Sequence, residues 1–214
     1  MVATEKEVVY QNANTYSVLN EKTTETKNTW MVFHGLGYLS RFFIKSFEHL
    51  DPKENYIIAP QAPSKYYQDN TYTYVGASWL TKENTAFETK NIVNYVNAIA
   101  DAENILNQDK RLIIMGFSQG VSVALRWIAK AKVVCNTIVI HSGGIPKELT
   151  PEDFAFLPKD TQVYLLYGLK DPYITQERAV YEKERAEMLF GNRLNIVLFD
   201  GDHELNKEFI KTVS

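Results

Sequence analysis

Short apolar runs recur along the chain and alternate with longer segments whose apolar residues follow helical spacing. Six runs have the length and composition of buried β-strands, and most of them end on glycine: TWMVFHG (29–35), YIIAP (56–60), RLIIMG (111–116), TIVIHSGG (137–144), QVYLLYG (162–168) and NIVLFDG (195–201). Strands that are apolar throughout are typical of sheets covered on both faces. Their alternation with helices predicts an α/β fold around a mostly parallel sheet.

The segments between these strands predict the helices. The first is expected at 39–50, where apolar residues recur at helical spacing: Leu39, Phe43, Phe47 and Leu50. A longer helix opens on the capping-box pattern Thr85-x-x-Glu88 and carries one apolar face, made by Ile92, Val93, Val96, Ile99 and Ala100. Residues 121–130 are apolar nearly all round, as expected of a helix enclosed within the fold.

Two further helices are expected towards the end of the chain. Residues 174–190 predict a charged helix, in which the run 182–185 is interpreted as a solvated face, and the tail predicts a closing helix. Between the strands at 137–144 and 162–168, Thr150 and Pro151 are typical of a helix start, with Asp153 completing a capping box. One short helix uses up this connection, so no cap domain is expected.

The remaining segments predict a hairpin and a loop. Residues 8–19 are expected to form an N-terminal antiparallel hairpin about a turn at 12–14. Residues 61–80, rich in aromatic side chains, are expected to form a loop. The predicted architecture is one domain over residues 1–214, with a mostly parallel central sheet, helices on both faces and the N-terminal hairpin.

Composition excludes several classes of protein. The 214 residues are 45% hydrophobic and 23% charged, which is typical of a single globular domain. The net charge of -3 lacks the basic surface of a nucleic-acid binder, and no apolar run is long enough for membrane insertion. The first ten residues do not resemble a signal peptide, and Cys135 is the only cysteine, so a cytoplasmic location is expected.

The unusual residues follow the strands, where parallel sheets bind their ligands. Gly116-Phe117-Ser118-Gln119-Gly120 lies between a predicted strand and a predicted helix, the context in which G-x-S-x-G forms a nucleophile elbow. Side chains in place of either glycine would collide with the neighbouring strand and helix. The motif predicts Ser118 as a nucleophile lifted clear of the sheet.

A serine hydroxyl needs a base and an acid to become reactive. In this class of hydrolase the order along the chain is serine, acid, histidine, which leaves His203 among the four histidines. Asp171 follows the strand between Ser118 and His203 and is the expected acid. Asp200 and Asp202 lie too near His203 in sequence, and Asp160 precedes the strand, at the wrong end of the sheet.

An oxyanion hole requires two backbone N–H donors. The residue after the nucleophile, Gln119, is expected to supply one, and the loop His34-Gly35-Leu36-Gly37 is expected to supply the other through Leu36. The glycines of that loop allow the backbone to approach a substrate closely. No cluster of His, Cys, Asp and Glu has metal-ligand spacing, so neither a metal nor a cofactor is expected.

Together these residues resemble the α/β-hydrolase fold and, within it, the phospholipase/carboxylesterase family that includes acyl-protein thioesterases. The matching pieces, in family order, are HGLG (34–37), APQAP (59–63), SWL (78–80), GFSQG (116–120), HSGGIP (141–146), GLKDP (168–172) and GDHE (201–204). The resemblance implies that Ser118, Asp171 and His203 form a catalytic triad. It also implies that Leu36 and Gln119 donate to the oxyanion.

Three departures from the family pattern stand out. Asp202 lies where a glycine usually precedes the histidine, His141 lies where an apolar residue is more usual, and Trp79 is followed by Leu and Thr instead of an aromatic residue and Asp. Trp79 and His141 are the candidate pocket residues. Each has a plain structural alternative, as a ring that anchors a loop or as a satisfied buried histidine.

The sequence thus predicts a serine hydrolase that cleaves carboxylic esters through an acyl-enzyme, with short to medium acyl chains favoured. The expected partner is a small-molecule ester substrate. The sequence does not decide between a monomer and a homodimer. An acyl thioesterase or lysophospholipase is the alternative within the same chemistry. A hydrolase-fold protein that only binds a small molecule is the alternative of another class.

Overall fold

A seven-stranded sheet organises the computed structural model, which describes residues 2–106 and 110–214. Its strands, in chain order, are β1 (Tyr16–Leu19), β2 (Asn28–Phe33), β3 (Asn55–Pro60), β6 (Arg111–Phe117), β7 (Thr137–His141), β8 (Gln162–Gly168) and β9 (Leu194–Phe199), whereas β4 (Ser64–Tyr67) and β5 (Val75–Ser78) form a separate pair. The spatial order is β1-β3-β2-β6-β7-β8-β9, with all neighbours parallel except β1 and β3. The α/β class and all six predicted parallel strands are confirmed.

The N-terminal antiparallel strand is present, but its partner differs from the expected hairpin. Residues 8–11 form no strand, and β1 pairs with β3 instead, with Tyr16 opposite Pro60. A two-stranded hairpin is marginally stable alone, whereas β3 offers a strand that is buried along its whole length. Val8 and Val9 are left exposed as a result.

In the part of the chain that the structure describes, five α-helices surround the sheet: α1 (Ser40–Phe43), α2 (Thr85–Ala102), α3 (Gln119–Ala131), α4 (Gln176–Phe190) and α5 (Lys207–Thr212). The predicted first helix is divided, because a 3-10 helix, Ile44–Phe47, continues α1. The apolar face of α2 is buried as expected. Its start is not the predicted capping box, because Asn84 in the left-handed region precedes the helix and the Thr85 hydroxyl donates to the Thr81 carbonyl at 2.7 Å.

The aromatic segment 61–80 is a hairpin and not the expected loop. Its two strands, β4 and β5, pair in antiparallel register, and the Gln68 N–H donates to the Tyr74 carbonyl at 2.8 Å across the turn. Every side chain of β4 is exposed, so no alternation of apolar and polar residues marked it as a strand. Tyr66 and Tyr67 in β4 and Val75 in β5, residue types that suit pleated surfaces, were the available signal.

The connection between β7 and β8 contains one 3-10 helix, Pro151–Phe154, and therefore no cap domain. The predicted role of Asp153 at its start is present, since the Thr150 N–H donates to the Asp153 carboxylate at 2.9 Å. Among the described residues, no helix combines the length and apolar character needed to cross a bilayer.

The core forms one layer on each face of the sheet. Alternate residues of β6 divide between the two, with Leu112 and Ile114 in the layer beneath α2 and α3, and Ile113 and Met115 in the opposite layer. The helices thus cover both faces, and the carboxyl ends of the strands are left to the connecting loops.

Candidate active site

The turn between β6 and α3 holds Ser118 in a strained backbone conformation. Its φ of 54° and ψ of -119° lie outside the regions that side-chain-bearing residues normally occupy, and its N–H donates to the His141 carbonyl at 2.8 Å. A Cβ on Gly116 would overlap the α3 backbone at Val121, and one on Gly120 would overlap the Phe33 carbonyl at the end of β2. Both glycines are therefore required sterically, as the motif predicts.

Asp171 and His203 meet above the carboxyl ends of β8 and β9. His203 Nδ1 lies 2.7 Å from Asp171 Oδ2, and the Asp171 side chain is fully buried whereas 19% of the His203 side chain is exposed. The other carboxylate oxygen, Oδ1, accepts the Tyr173 N–H at 2.8 Å. Both carboxylate oxygens thus have a hydrogen-bond partner, and the contact of Oδ2 with Nδ1 orients the imidazole ring.

Two aromatic rings pack against the imidazole of His203. The ring centroid of Phe117 lies 5.0 Å away and that of Tyr173 lies 4.8 Å away. Phe117 immediately precedes Ser118, so the packing brings the histidine ring to the elbow. Within the described residues, no hydrogen bond joins the Ser118 hydroxyl to His203, and such bonds often shorten only when substrate binds.

The loop 34–37 passes directly beside the elbow. A Cβ on Gly35 would lie 3.1 Å from the Ser118 Cβ, so this backbone closely approaches the serine. Gly37 has φ +84°, and its N–H donates to the Ala77 carbonyl at 2.9 Å in β5. No hydrogen bond among the described residues uses the N–H of Leu36 or of Gln119, which leaves both donors free for a ligand.

Buried side chains beneath the loop fix its position. Burial lowers the pKa of His34 from 6.5 to about 4, so its ring is neutral at pH 7. The ring nitrogens of His34 lie 2.8 Å from the Gly35 carbonyl and 3.1 Å from the Ala62 N–H. The indole of Trp79 donates to the His34 carbonyl at 2.8 Å.

Trp79 does not line an open pocket with its side chain, contrary to one of the two interpretations of the sequence. Only 1% of the residue is exposed, because the indole packs among core rings such as Phe33. Its position is set by Gln119, whose side-chain oxygen accepts the Trp79 N–H at 2.9 Å and whose amide nitrogen donates to the Leu80 carbonyl at 2.8 Å. Trp79 is an anchor for the loop 34–37.

His141 is likewise excluded from the pocket surface, with 0% of the residue exposed. Its ring lies between the rings of Phe117 and Phe199, at centroid distances of 5.2 Å and 5.8 Å. Burial, and then the neighbouring charge of His203, lower the pKa of His141 from 6.5 to about 3. Both ring nitrogens of this buried histidine have a polar contact, with Ser142 and with Asn206.

Sequence reasoning missed Tyr173 as a residue of this site. It follows the Asp-Pro pair at 171–172, and an Asp side chain that accepts the N–H two residues later forms an Asx turn. Asp-Pro as a turn opener was therefore the available signal. The Asp171 carboxylate therefore both closes this turn and contacts His203.

Apart from the buried Asp171 carboxylate, the charged groups next to the site are exposed. Lys170 pairs with Asp200 at 2.7 Å, and Asp202 is exposed beside the histidine. In residues 2–106 and 110–214, no group of three or more His, Cys, Asp and Glu side chains is arranged to hold a metal ion. The arrangement can supply a nucleophile, a proton acceptor with its carboxylate partner, and two backbone donors.

Comparison with known proteins identifies the family. A model of the phospholipase/carboxylesterase family matches residues 14–214. No curated protein sequence matches the chain significantly. Similar solved structures include acyl-protein thioesterase 2 of Zea mays, with a TM-score of 0.68 and 19% identity over 94% of this chain and 96% of that chain.

Two further structures are a phospholipase/carboxylesterase from Dyadobacter fermentans and the carboxylesterase of Bacillus cereus. The first has a TM-score of 0.66 and 20% identity over 96% of both chains. The second has a TM-score of 0.64 and 15% identity over 94% of this chain and 90% of that chain. At such low identities, the similarity to these structures shows a common fold. Membership of the family is shown by the family model, which matches residues 14–214. The chain therefore belongs to the phospholipase/carboxylesterase family of α/β-hydrolases.

Proposed function

We propose that this hydrolase is a serine esterase that cleaves carboxylic esters through a covalent acyl-enzyme. The observation that carries the proposal is the 2.7 Å contact between Asp171 and His203 next to a strained elbow that presents Ser118. A buried carboxylate that holds Nδ1–H leaves Nε2 of the same ring free to accept a proton. Family membership and the likeness to esterases and a thioesterase support the same class of reaction.

In the proposed acylation, Ser118 Oγ attacks the ester carbonyl carbon while His203 Nε2 takes the hydroxyl proton. The carbonyl oxygen becomes an oxyanion that accepts hydrogen bonds from the N–H groups of Leu36 and Gln119. As the tetrahedral intermediate collapses, the bond to the alcohol oxygen breaks and His203 returns the proton to the departing alcohol. The acyl group is left on Ser118.

Deacylation repeats these steps with water as the nucleophile. Water attacks the acyl carbon and gives its proton to His203, and the acid leaves as Ser118 regains its hydrogen. Asp171 stabilises the imidazolium that forms in each half-reaction. We place this reaction in the cytoplasm, in keeping with the single, buried thiol of Cys135.

The surroundings of the elbow favour short and medium acyl chains. Leu36 and Tyr173 flank it and are 54% and 62% exposed, and the β7–β8 connection contributes only a 3-10 helix. The terminal methylenes of a long acyl chain would remain in water there, and each would forgo about 0.8 kcal/mol of binding free energy. An open site also needs no lid movement at a lipid interface.

A thioesterase is the second candidate, favoured by the likeness to the maize acyl-protein thioesterase. A thioester requires the same attack and the same oxyanion donors, so the site can cleave either an ester or a thioester bond. Rates on an ester and a thioester of the same acyl chain distinguish an esterase from a thioesterase. A protein that only binds small molecules would turn over neither and would not react with an electrophilic phosphonate.

Ser118→Ala tests the mechanism. We expect kcat for a p-nitrophenyl ester to fall by on the order of 10⁴-fold or more, since only the oxyanion donors and binding contacts remain. A fluorophosphonate probe should label the wild-type chain at Ser118, as checked by peptide mass spectrometry. The matched control is Ser122→Ala in the same helix, which should keep full activity. Labelling at another serine, or an active Ser118→Ala variant, would refute the assignment.

The acyl preference is tested with p-nitrophenyl esters of graded chain length, together with a lysophospholipid. We expect kcat/KM to be highest for short and medium chains, with no increase in rate as a substrate passes its micelle concentration. A preference for long acyl chains would favour the lysophospholipase or thioesterase alternative.

A further inference from the structure

His141 is a fully buried histidine that takes no part in the proposed reaction. It ends β7 next to the elbow, and its side chain makes polar contacts on both ring nitrogens. Nε2 lies 3.1 Å from the backbone N–H of Asn206, and Nδ1 lies 3.1 Å from the Ser142 hydroxyl. An apolar residue would fill the same space between Phe117 and Phe199 without either contact.

The backbone contact determines the tautomer of the ring. An N–H group only donates, so Nε2 of His141 must carry the lone pair that accepts from Asn206. The hydrogen is therefore on Nδ1, which donates to the Ser142 hydroxyl. Burial keeps this ring neutral, so the acceptor at Nε2 is present throughout the neutral pH range.

The same residue also contacts the elbow through its main chain. The His141 carbonyl accepts the Ser118 N–H at 2.8 Å, while its ring holds the Asn206 N–H. His203 lies three residues before Asn206, in the loop 201–206. His141 thus joins the backbone of the candidate nucleophile to the loop that carries the candidate base.

The loop 201–206 is held by hydrogen bonds at both ends. At its start, the Gly201 carbonyl accepts the Lys170 N–H at 3.0 Å, next to Asp171. At its end, the Asn206 N–H is held by His141, and the Asn206 side chain accepts the Phe209 N–H at the start of α5. Without the bond from Asn206 to His141, the end of the loop would be held only through α5, while the bond between Asp171 and His203 stays intact.

We propose that His141 is a positioning residue, which sets the distance between His203 and Ser118 through its hydrogen bond to Asn206. The inference rests on the proposed function, since it assigns His141 to the geometry of that reaction. A misplacement of about 1 Å costs up to about 100-fold in rate, so even a small shift of the loop should be measurable in kcat.

Two substitutions of His141 separate positioning from space filling. Glutamine places an amide oxygen near the position of Nε2 and can accept from Asn206, whereas leucine fills the space but accepts nothing. We expect His141→Leu to lower kcat by about 10- to 100-fold with KM changed by less than about threefold. His141→Gln should recover kcat to within about fivefold of the wild-type value.

The control is His49→Leu, because His49 is an exposed histidine that contacts the Lys207 carbonyl next to the same loop end. It should leave kcat unchanged. The rate of fluorophosphonate labelling at Ser118 should follow kcat in all variants, and thermal unfolding reports whether each one folds.

A purely structural role would lower thermal stability in both His141 variants while kcat of the folded protein stayed at the wild-type value. That result, or equal losses of kcat in His141→Leu and His141→Gln, would overturn the inference and leave the proposed function standing. A wild-type chain that neither hydrolyses esters nor reacts with the probe would instead overturn the proposed function, and the inference would fall with it.

Discussion

At the scale of single residues, Asp171 combines a local and a long-range role. Its Oδ1 closes the turn by accepting the Tyr173 N–H, and its Oδ2 contacts His203 Nδ1 at 2.7 Å. Asp202 is adjacent to the histidine in sequence but is exposed. Proximity in the chain therefore does not decide which carboxylate orients the imidazole.

Asp171→Asn and Asp202→Asn form a matched pair. The amide at 171 no longer carries the charge that stabilises an imidazolium and can hold the wrong tautomer, so we expect kcat to fall by about 10⁴-fold. The exposed amide at 202 should change kcat by less than about threefold, because an exposed charge is screened by solvent. Steady-state kinetics on one ester checks both, and a reversed order of the two losses would show that Asp171 is not the acid.

At the scale of elements, α4 holds the β7–β8 connection through two charged side chains, one buried and one half-buried. The run 182–185 was interpreted as a solvated face, but Glu182 is 6% exposed and its carboxylate accepts the Ile145 N–H at 2.8 Å. The Arg185 guanidinium donates to the carbonyls of Pro146 and Leu149 at 2.8 and 2.9 Å. These contacts fix the segment just after the strand exit at His141.

Glu182→Ala tests this connection, with Glu184→Ala as the control from the exposed side of the same helix. Removing the Glu182 carboxylate leaves the Ile145 N–H without its acceptor, so we expect the free energy of unfolding to fall by about 2 kcal/mol. The Glu184 variant should change it by less than about 0.5 kcal/mol. Urea unfolding of both variants provides the measurement, and equal small effects would restore the interpretation as a solvated face.

At the scale of the whole molecule, two neutral buried histidines make stability depend on pH. Burial lowers the pKa from 6.5 to about 4 for His34 and to about 3 for His141. The unfolded chain binds protons on both as the pH falls through about 6.5, whereas the folded chain does not until about 4 and 3. The contribution of these two neutral histidines to the free energy of unfolding is therefore fully present above about pH 6.5 and decreases as the pH falls towards 4.

We expect the free energy of unfolding to decrease between about pH 6 and pH 4.5, at a slope approaching about 1.4 kcal/mol per pH unit for each histidine. Glu182, whose pKa burial raises, contributes in the opposite direction, so the comparison of variants carries the test. His141→Gln should reduce the slope by the share of one histidine. Urea unfolding at several pH values measures it, and an unchanged slope in that variant would contradict the assignment.

Features whose cause is local were predictable from the sequence. The six parallel strands, the apolar face of α2 and the helix start at Thr150 all depend on periodicity and on side chains a few residues apart. Gly116 belongs to the same group, because a Cβ there would overlap the α3 backbone at Val121, five residues along the chain. Gly120 was predicted by the motif, but the residue that excludes a side chain there is Phe33 of β2. The order of serine, acid and histidine along the chain selected Asp171 and His203 from the sequence, and these two side chains are in contact in the structure.

Features that depend on distant neighbours were decided only by the tertiary structure. β1 pairs with β3 along the edge of β3 that β2 does not occupy. Every side chain of β4 is exposed, so no burial pattern predicted this strand. Trp79 and His141, candidate pocket residues by sequence, are buried in the core. Their hydrogen-bond partners there, the His34 carbonyl and the Asn206 N–H, come from other elements. Local periodicity reports which face of an element is buried, whereas the partner of a polar group is set by the packing of elements far apart in the chain.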